Sequence, residues 1–394
     1  MRNAGKALVL IVVVLLAVGI LLLASASSIK GLDEAGDMFF YVKKQLFWLT
    51  VGIVGCVIAA SFDYHWLHNI RLNLALIAVT TVLLVAVFVP PIGKCIKGSH
   101  RWIQIGSQSV QPSEFAKLTV IVMMATWMTL KGRFASTIKQ GLVIPLLALG
   151  FMLALIFLEP DYGTTFLLAA VGAGIMFLGG TNTAHLAVSG GLGVMVFVLA
   201  ILNNQNRLIR FMSFLYGDVY PDAAYQLAQS KTAFALGGIW GGGYMESVQK
   251  LYYLPEAHND FIFSILGEEM GMFATLAVVA LFALLMVVGL SICRRAPDRF
   301  GFLLAFGMTM LLSMEAIINI GVVTGCLPTK GLALPFMSAG GSSMISSMIA
   351  VGVLLNVARH IEKADDHLKP FLDNDPYAVE TGMETASEPR AQQT

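Results

Sequence analysis

Ionisable side chains are few in this sequence, and several stand where simple packing would avoid them. The run Tyr252-Tyr253-Leu254-Pro255-Glu256-Ala257-His258-Asn259-Asp260-Phe261 delivers an acid to the mouth of an apolar segment. A carboxylate held there in a partly dry polar pocket has the chemistry of a general base, which makes Asp260 a candidate catalytic residue. Asn259 and Asp260 are also both good amino-terminal caps, and capping accounts for one of them while leaving the other unexplained. Glu159 and Asp161 flank Pro160 between two apolar segments; they either reach water from a turn, or face a cavity and orient a cationic partner or a hard metal ion. Glu114 and Lys117, three apart, share one helix face and pair, either to neutralise one another or to shape a polar cavity. Glu315 is a lone carboxylate deep in an apolar segment, a functional group by default, and the sequence does not name its partner. Arg101, Arg207, Arg210, Lys231, Lys250 and Lys330 suit phosphate recognition, the arginines through bidentate contacts, or else attraction to anionic lipid headgroups. The 4 cysteines and 7 histidines show no CxxC, HxxxH or HExxH spacing, so no transition-metal site is expected.

The segments that must hold these groups are membrane spans. Hydrophobic residues make up 57% of the chain and charged residues 12%, against about 25% charged in soluble domains. With a mean hydropathy of +0.77, this excludes a soluble multidomain enzyme, a nucleic-acid partner reached through a basic surface, and a disordered chain. Windows without Asp, Glu, Lys or Arg run over 7–29, 45–62, 72–93, 140–158, 162–206, 270–293 and 331–358. A helix needs roughly 20 apolar residues to cross the hydrocarbon core, so the window 162–206 holds two spans, broken near Gly179 to Asn182. Ser113 to Leu130, with Glu114 and Lys117, and Phe300 to Thr324, with Glu315, bring the expectation to ten spans. The fold class expected is an all-α polytopic membrane protein, with a large extracytoplasmic loop between helices 7 and 8.

An even number of spans puts both termini on one side. Lys and Arg divide equally between the two sides, eleven and eleven, but four of the outer eleven lie in the long loop. The rule that short cytoplasmic loops are positive then places both termini in the cytoplasm. The outer surplus of basic residues suits an anionic ligand there. The first apolar run is longer than the core of a cleaved signal sequence and is read as a retained span.

Two connections and the tail stand out. Residues 90–112 mix Lys94, Lys97, His100 and Arg101 with Trp102 and Ile105, and Pro112 opens the next helix at a favoured early position. The loop 204–260 is 57 residues long and holds six of the 10 tyrosines, which suits the lipid headgroup level. Residues 361–394 carry eight acids and three bases and read as a disordered cytoplasmic tail beyond a membrane domain of residues 1–360. No internal repeat is visible, which disfavours an inverted-repeat transporter.

Four runs become specific together: HRWIQIGSQSVQPSEFAKL (100–118), EPDYGT (159–164), SVQKLYYLPEAHNDFIFSILGEEMG (247–271) and LPTKGLALPFMSAGGSS (327–343). In this order they resemble the signatures of the SEDS family of FtsW, RodA and SpoVE, over about residues 7–360, and LPTKG and SVQKL resemble its FtsW branch. Asn259 stands where the family usually has Thr, Ala339 where it has Tyr, Lys231 where it has an apolar residue, and Glu315 where Gln is frequent.

The resemblance implies a ten-helix glycosyltransferase that polymerises lipid II into β-1,4-linked peptidoglycan, with inversion, on the outer face of a bacterial cytoplasmic membrane. It implies work at the division septum with a class B penicillin-binding protein and other divisome membrane proteins, among membrane lipids. It maps the essential carboxylate onto Asp260. Arg101, Arg207, Arg210, Lys330, His258, Glu159 and Asp161 become the expected substrate-binding residues, and Glu114, Lys117 and Glu315 the residues that hold the cavity. A divalent cation, Mg or Mn, is a cofactor the resemblance allows, with no ligand set legible. Two other readings stay open: a lipid II flippase with Glu114, Lys117, Asp161 and Glu315 lining its path, and a non-catalytic scaffold that recruits the transpeptidase.

Overall fold

In the computed structural model the described residues are 4–373, apart from 91, 97, 98, 107, 204 and 218. The helices among them are α1 (Ala4–Ala26), α2 (Ser28–Ala35), α3 (Phe40–Ser61), α4 (Ile70–Ala86), α5 (Pro112–Leu130), α6 (Ile144–Leu158) and α7 (Tyr162–Leu178). Then follow α8 (Thr183–Leu202), α9 (Gln205–Leu215), α10 (Pro221–Gly237), α11 (Ile262–Arg295), α12 (Arg299–Val323) and α13 (Gly341–Asp373). Lipid offers the backbone no hydrogen bonds, so an apolar chain crosses it as helix.

Among the described residues, 7 helices are long and apolar enough to cross a membrane: α1, α3, α6 with the turn Ile138–Val143 before it, α8, α11, α12 and α13. The chain is thus a multi-pass helical membrane protein. The apolar helices α4 and α7 are shorter, and α5 carries the charges of Glu114 and Lys117; these three occupy the other expected positions. Helix starts follow local chemistry. Asn69, Asp161, Asn182 and Asp298 each accept a bond from a backbone N–H of the first turn of α4, α7, α8 and α12. Pro112 occupies an opening position of α5, as expected.

Three expectations about the connections change. The segment 90–112 holds a 3-stranded antiparallel sheet, β1 (Gly93–Ile96), β2 (Ser99–Ile105) and β3 (Gln108–Val110), so the helical class acquires a small sheet. The segment 204–260 is no open loop: it folds into α9 and α10, and α10 buries Leu227, Ser230, Ala233 and Gly237 against the bundle. Ser230 Oγ lies 2.7 Å from Ser264 Oγ of α11 and donates to the Val323 carbonyl of α12 at 2.6 Å. At the end of the chain, α13 runs to Asp373, past the boundary expected at 360. Extending an existing helix needs no new nucleus, which lets the Ala- and Lys-containing stretch after Ile361 continue it; residues 374–394 lie outside the described ones.

The core lies among α1, α5, α7, α11, α12 and α13; of the 7 long apolar helices α12 and α13 are the most buried, while α8 stands at the periphery with no buried residue. α11 is kinked at Gly271, where φ is +74° and the N–H of Met272 turns to the carbonyls of Gly238 and Ile239. A side chain there would be strained and would meet the backbone of 239–241. The kink seats the 238–253 segment against the helix that follows Asp260.

Candidate active site

At one end of the bundle α5, α7, α11 and α13 begin, and α6 and α12 end. The contacts there draw the four sequence runs together. Gln111, just before α5, donates its N–H to Ser342 Oγ of α13 at 2.9 Å and its side-chain amide to Asp161 Oδ2 at 3.2 Å. Ala339 donates its N–H to the His258 carbonyl at 3.1 Å.

Asp260 is half-buried in the turn before α11. Its carbonyl accepts from Asn319 Nδ2 of α12 at 2.9 Å, and the same amide donates to the Leu332 carbonyl at 2.7 Å. One asparagine thus ties the Asp260 turn to the 330–332 segment. The carboxylate rests on Gly331: a Cβ there would lie 2.8 Å from Asp260 Oδ2. The cap position of α11 belongs to Phe261, with no side-chain cap bond, and Asn259 donates to Glu256 Oε2 at 2.5 Å. Capping at that position therefore explains neither Asn259 nor Asp260. His258 is buried, its ring 5.0 Å from that of Tyr41.

Beside this turn sits the second group. Arg101 on β2 donates from Nε to the Glu159 carbonyl at 2.9 Å and from Nη2 to the Pro160 carbonyl at 2.6 Å. A fork of positive charge on the open carbonyls at the end of α6 is favourable for the helix dipole and fixes the turn. Asp161 is the cap of α7, accepting from the Thr164 N–H at 3.2 Å and the Thr164 hydroxyl at 3.0 Å. Glu159 is fully buried, and neither carboxylate oxygen has a hydrogen-bond partner among the described residues. Burial, with help from Asp161 and against Arg101, pushes its pKa up from 4.5 to about 8. The Lys330 ammonium lies over the rings of Phe166 and Phe197, 5.3 and 5.2 Å from their centroids. Burial lowers its pKa, and the Asp161 charge opposes that.

Deeper in the bundle, Lys117 Nζ is 2.6 Å from Glu114 Oε2 and donates to Glu315 Oε1, while Ser346 Oγ of α13 donates to Glu114 Oε2 at 2.9 Å. The expected Glu114–Lys117 pair is present, and the partner of Glu315 is Lys117. All three side chains are buried, and the cluster joins α5, α12 and α13.

Arg210 is exposed on α9 and makes no hydrogen bond or ion pair with the other site residues among the described ones; the side chain of Arg207 lies outside the described residues. The structure therefore gathers Asp260, His258, Glu159, Asp161, Arg101 and Lys330, and leaves Arg210 apart. Sequence reasoning missed Asn319, Gln111 and Gly331. Asn319 had one visible signal, a polar residue four positions after Glu315 in an otherwise apolar helix.

A family model described as a cell cycle protein, FTSW_RODA_SPOVE, matches residues 6–363. A probable peptidoglycan glycosyltransferase FtsW of Trichlorobacter lovleyi is 38% identical over 358 residues, covering 91% of this chain and 93% of that protein. Stage V sporulation protein E of Bacillus subtilis is 37% identical over 355 residues, covering 90% and 96%. Among solved structures, a chain of a peptidoglycan synthase complex that coordinates polymerization and crosslinking superposes with a TM-score of 0.75 at 24% identity, covering 90% of this chain and 97% of that one. The rod shape determining protein RodA of Thermus thermophilus superposes with a TM-score of 0.65 at 24% identity, covering 89% and 95%.

Proposed function

The chain belongs to the FtsW/RodA/SpoVE family of cell cycle proteins, and from that membership we propose that it is a peptidoglycan glycosyltransferase of bacterial cell-wall synthesis. Its substrate is lipid II, taken at the outer face of the cytoplasmic membrane, with both termini in the cytoplasm and the site of action at the division septum. The observation that supports this most is the Asp260 turn, braced by Asn319 and Gly331 beside two buried acids and two half-buried cations.

In this mechanism the 4-hydroxyl of the acceptor sugar gives its proton to Asp260. The oxygen then attacks the anomeric carbon of the donor from the face opposite the undecaprenyl pyrophosphate, which leaves with inversion. One positioned base contributes about 10² to 10⁴-fold. The lysine at 330, next in sequence to the glycine that supports Asp260, is the cation taken to offset pyrophosphate charge. Arg101 has two of its donors on the carbonyls of Glu159 and Pro160, so its part is to hold that turn in place. The two unpartnered oxygens of Glu159 suit a hard divalent cation in donor type. Glu159, with Asp161 beside it, would hold Mg or Mn there, and the ion would supply further positive charge for a leaving phosphate.

The partner proposed is a class B penicillin-binding protein, on the likeness to the solved synthase complex. A flippase would need Glu114, Lys117 and Glu315 on an open path, whereas these residues satisfy one another in a buried cluster. The test supplies lipid II to the chain purified with its partner, the partner's own active site blocked, and compares wild type with Asp260→Asn. Polymer from wild type and none from a folded, partner-bound variant is the expected result; equal polymer from both refutes Asp260 as the base.

A further inference from the structure

At the opposite end of the bundle, three side chains converge that sequence spacing kept apart. Asp63 and His65 lie just after α3, and His360 lies on the last helix. His360 is 19 residues beyond the start of α13, about 28 Å along the helix from the Asp260 end. One ligand atom from each of Asp63, His65 and His360 falls within 4.8 Å of the others. We propose that these three residues form a binding site for a divalent transition metal of the zinc type.

The hydrogen bonds decide which ring atoms are available. His360 Nδ1 lies 3.0 Å from the carbonyl oxygen of Asn356. A carbonyl only accepts, so Nδ1 carries the hydrogen, and in the neutral ring Nε2 carries the lone pair. That lone pair faces Asp63 Oδ1 at 3.5 Å. Two electron-pair donors directed at one another repel unless a cation lies between them. The same Asp63 oxygen is 2.6 Å from His65 Nδ1. The other nitrogen of His65 faces Asp298 Oδ1 at 3.5 Å. Asp298 is held in turn by the Tyr64 hydroxyl and by the Gly301 N–H at the start of α12. At the shared point a metal would take the place of the proton that His65 Nδ1 shares with Asp63, and each imidazole has an oxygen behind its other nitrogen, the arrangement that fixes the tautomer of metal-binding histidines.

The dimensions suit a tetrahedral ion. Bonds of about 2.0 to 2.2 Å give ligand-to-ligand edges of about 3.3 Å, and the 3.5 Å separation of His360 Nε2 from Asp63 Oδ1 is close to that. The 2.6 Å separation must open; rotating His65 opens it, whereas rotating Asp63 would also give up the bond that its Oδ1 accepts from the His65 N–H at 2.9 Å. Asp63 and His65 are each 47% exposed, so they have room to turn and solvent supplies the fourth ligand. Two imidazoles and a carboxylate match zinc in kind better than magnesium or calcium, which prefer oxygen throughout. A metal here would join the α3–α4 connection to α13, close to where α12 begins.

The full chain, purified in detergent micelles, is stripped with a chelator, incubated with Zn²⁺, desalted and assayed for metal by mass spectrometry. Wild type is expected to retain about one equivalent more than the His65→Gln/His360→Gln double variant. Equal retention by both, with both eluting as folded protein, overturns the site. A second measurement needs no variant. Co²⁺ added to stripped wild type is expected to give the intense visible absorption of a tetrahedral complex. A weak octahedral spectrum, or none, means that His360 and Asp63 share a proton only, and overturns the proposal.

Discussion

Glu159 allows the buried end of the site to be tested by pH alone. It is fully buried with both oxygens unpartnered among the described residues, and its pKa rises from 4.5 to about 8. Between those values the folded protein holds a proton that the unfolded chain has released. The folded state therefore binds more protons, and stability falls as pH rises through this window, levelling off above about pH 8. Each tenfold gain in proton affinity is worth about 1.4 kcal/mol, so the whole rise amounts to about 5 kcal/mol, of which about 2 kcal/mol is lost between about pH 6 and pH 8. Glu159→Gln keeps the shape and removes the titration. Thermal unfolding of the detergent-purified chain, followed by the fluorescence of its 5 tryptophans, reads the difference. A chelator is included so that no cation competes with the proton for the carboxylate. The wild type should lose stability relative to Glu159→Gln as pH rises, with the gap widening by about 2 kcal/mol between about pH 6 and pH 8. Parallel curves for the two proteins would falsify the assignment of a buried, protonated Glu159.

Three further outcomes are expected. Lys117→Met leaves Glu114 and Glu315 buried without their shared cation, at a cost of about 3 to 5 kcal/mol seen as a lowered unfolding temperature; adding Glu114→Gln and Glu315→Gln should recover most of the loss, and no recovery refutes the electrostatic cause. Gly331→Ala puts a methyl 2.8 Å from Asp260 Oδ2, so polymerisation should fall by about 10 to 100-fold with little change in unfolding temperature, whereas unchanged turnover would separate that carboxylate position from the chemistry. Asn319→Leu removes the donor shared by the carbonyls of Asp260 and Leu332 and should cost about 1 to 3 kcal/mol. Lipid II turnover should drop for this variant while its KM holds, and a change in KM alone would count against a positioning role.

Much of the helical frame was legible from composition, because lipid forces long uncharged stretches into helices and local signals such as Pro112 and Asp161 mark where they start. The break between α7 and α8 likewise falls at the expected Gly179 to Asn182. The sheet of residues 93–110 was not legible, since strands as short as β3 owe their pairing to their neighbours more than to their own pattern.

The candidate site divides in the same way. Asp260, Glu159, Asp161, Arg101 and the Glu114–Lys117 pair could be named because charge is rare in this chain and each stands near an apolar segment's end. Which of them meet was decided elsewhere. Lys117 finds Glu315 across 198 positions, and Asn319 reaches Asp260 across 59. The fork of Arg101 turns to backbone carbonyls in place of a phosphate. Asp63 and His65 meet His360 only because α3 and α13 run side by side. A span that is apolar all round carries little record of which face turns inward, so its sequence determines that it crosses the membrane and which rare polar groups it carries. The rotation and packing of the helices alone decide which of those groups face one another.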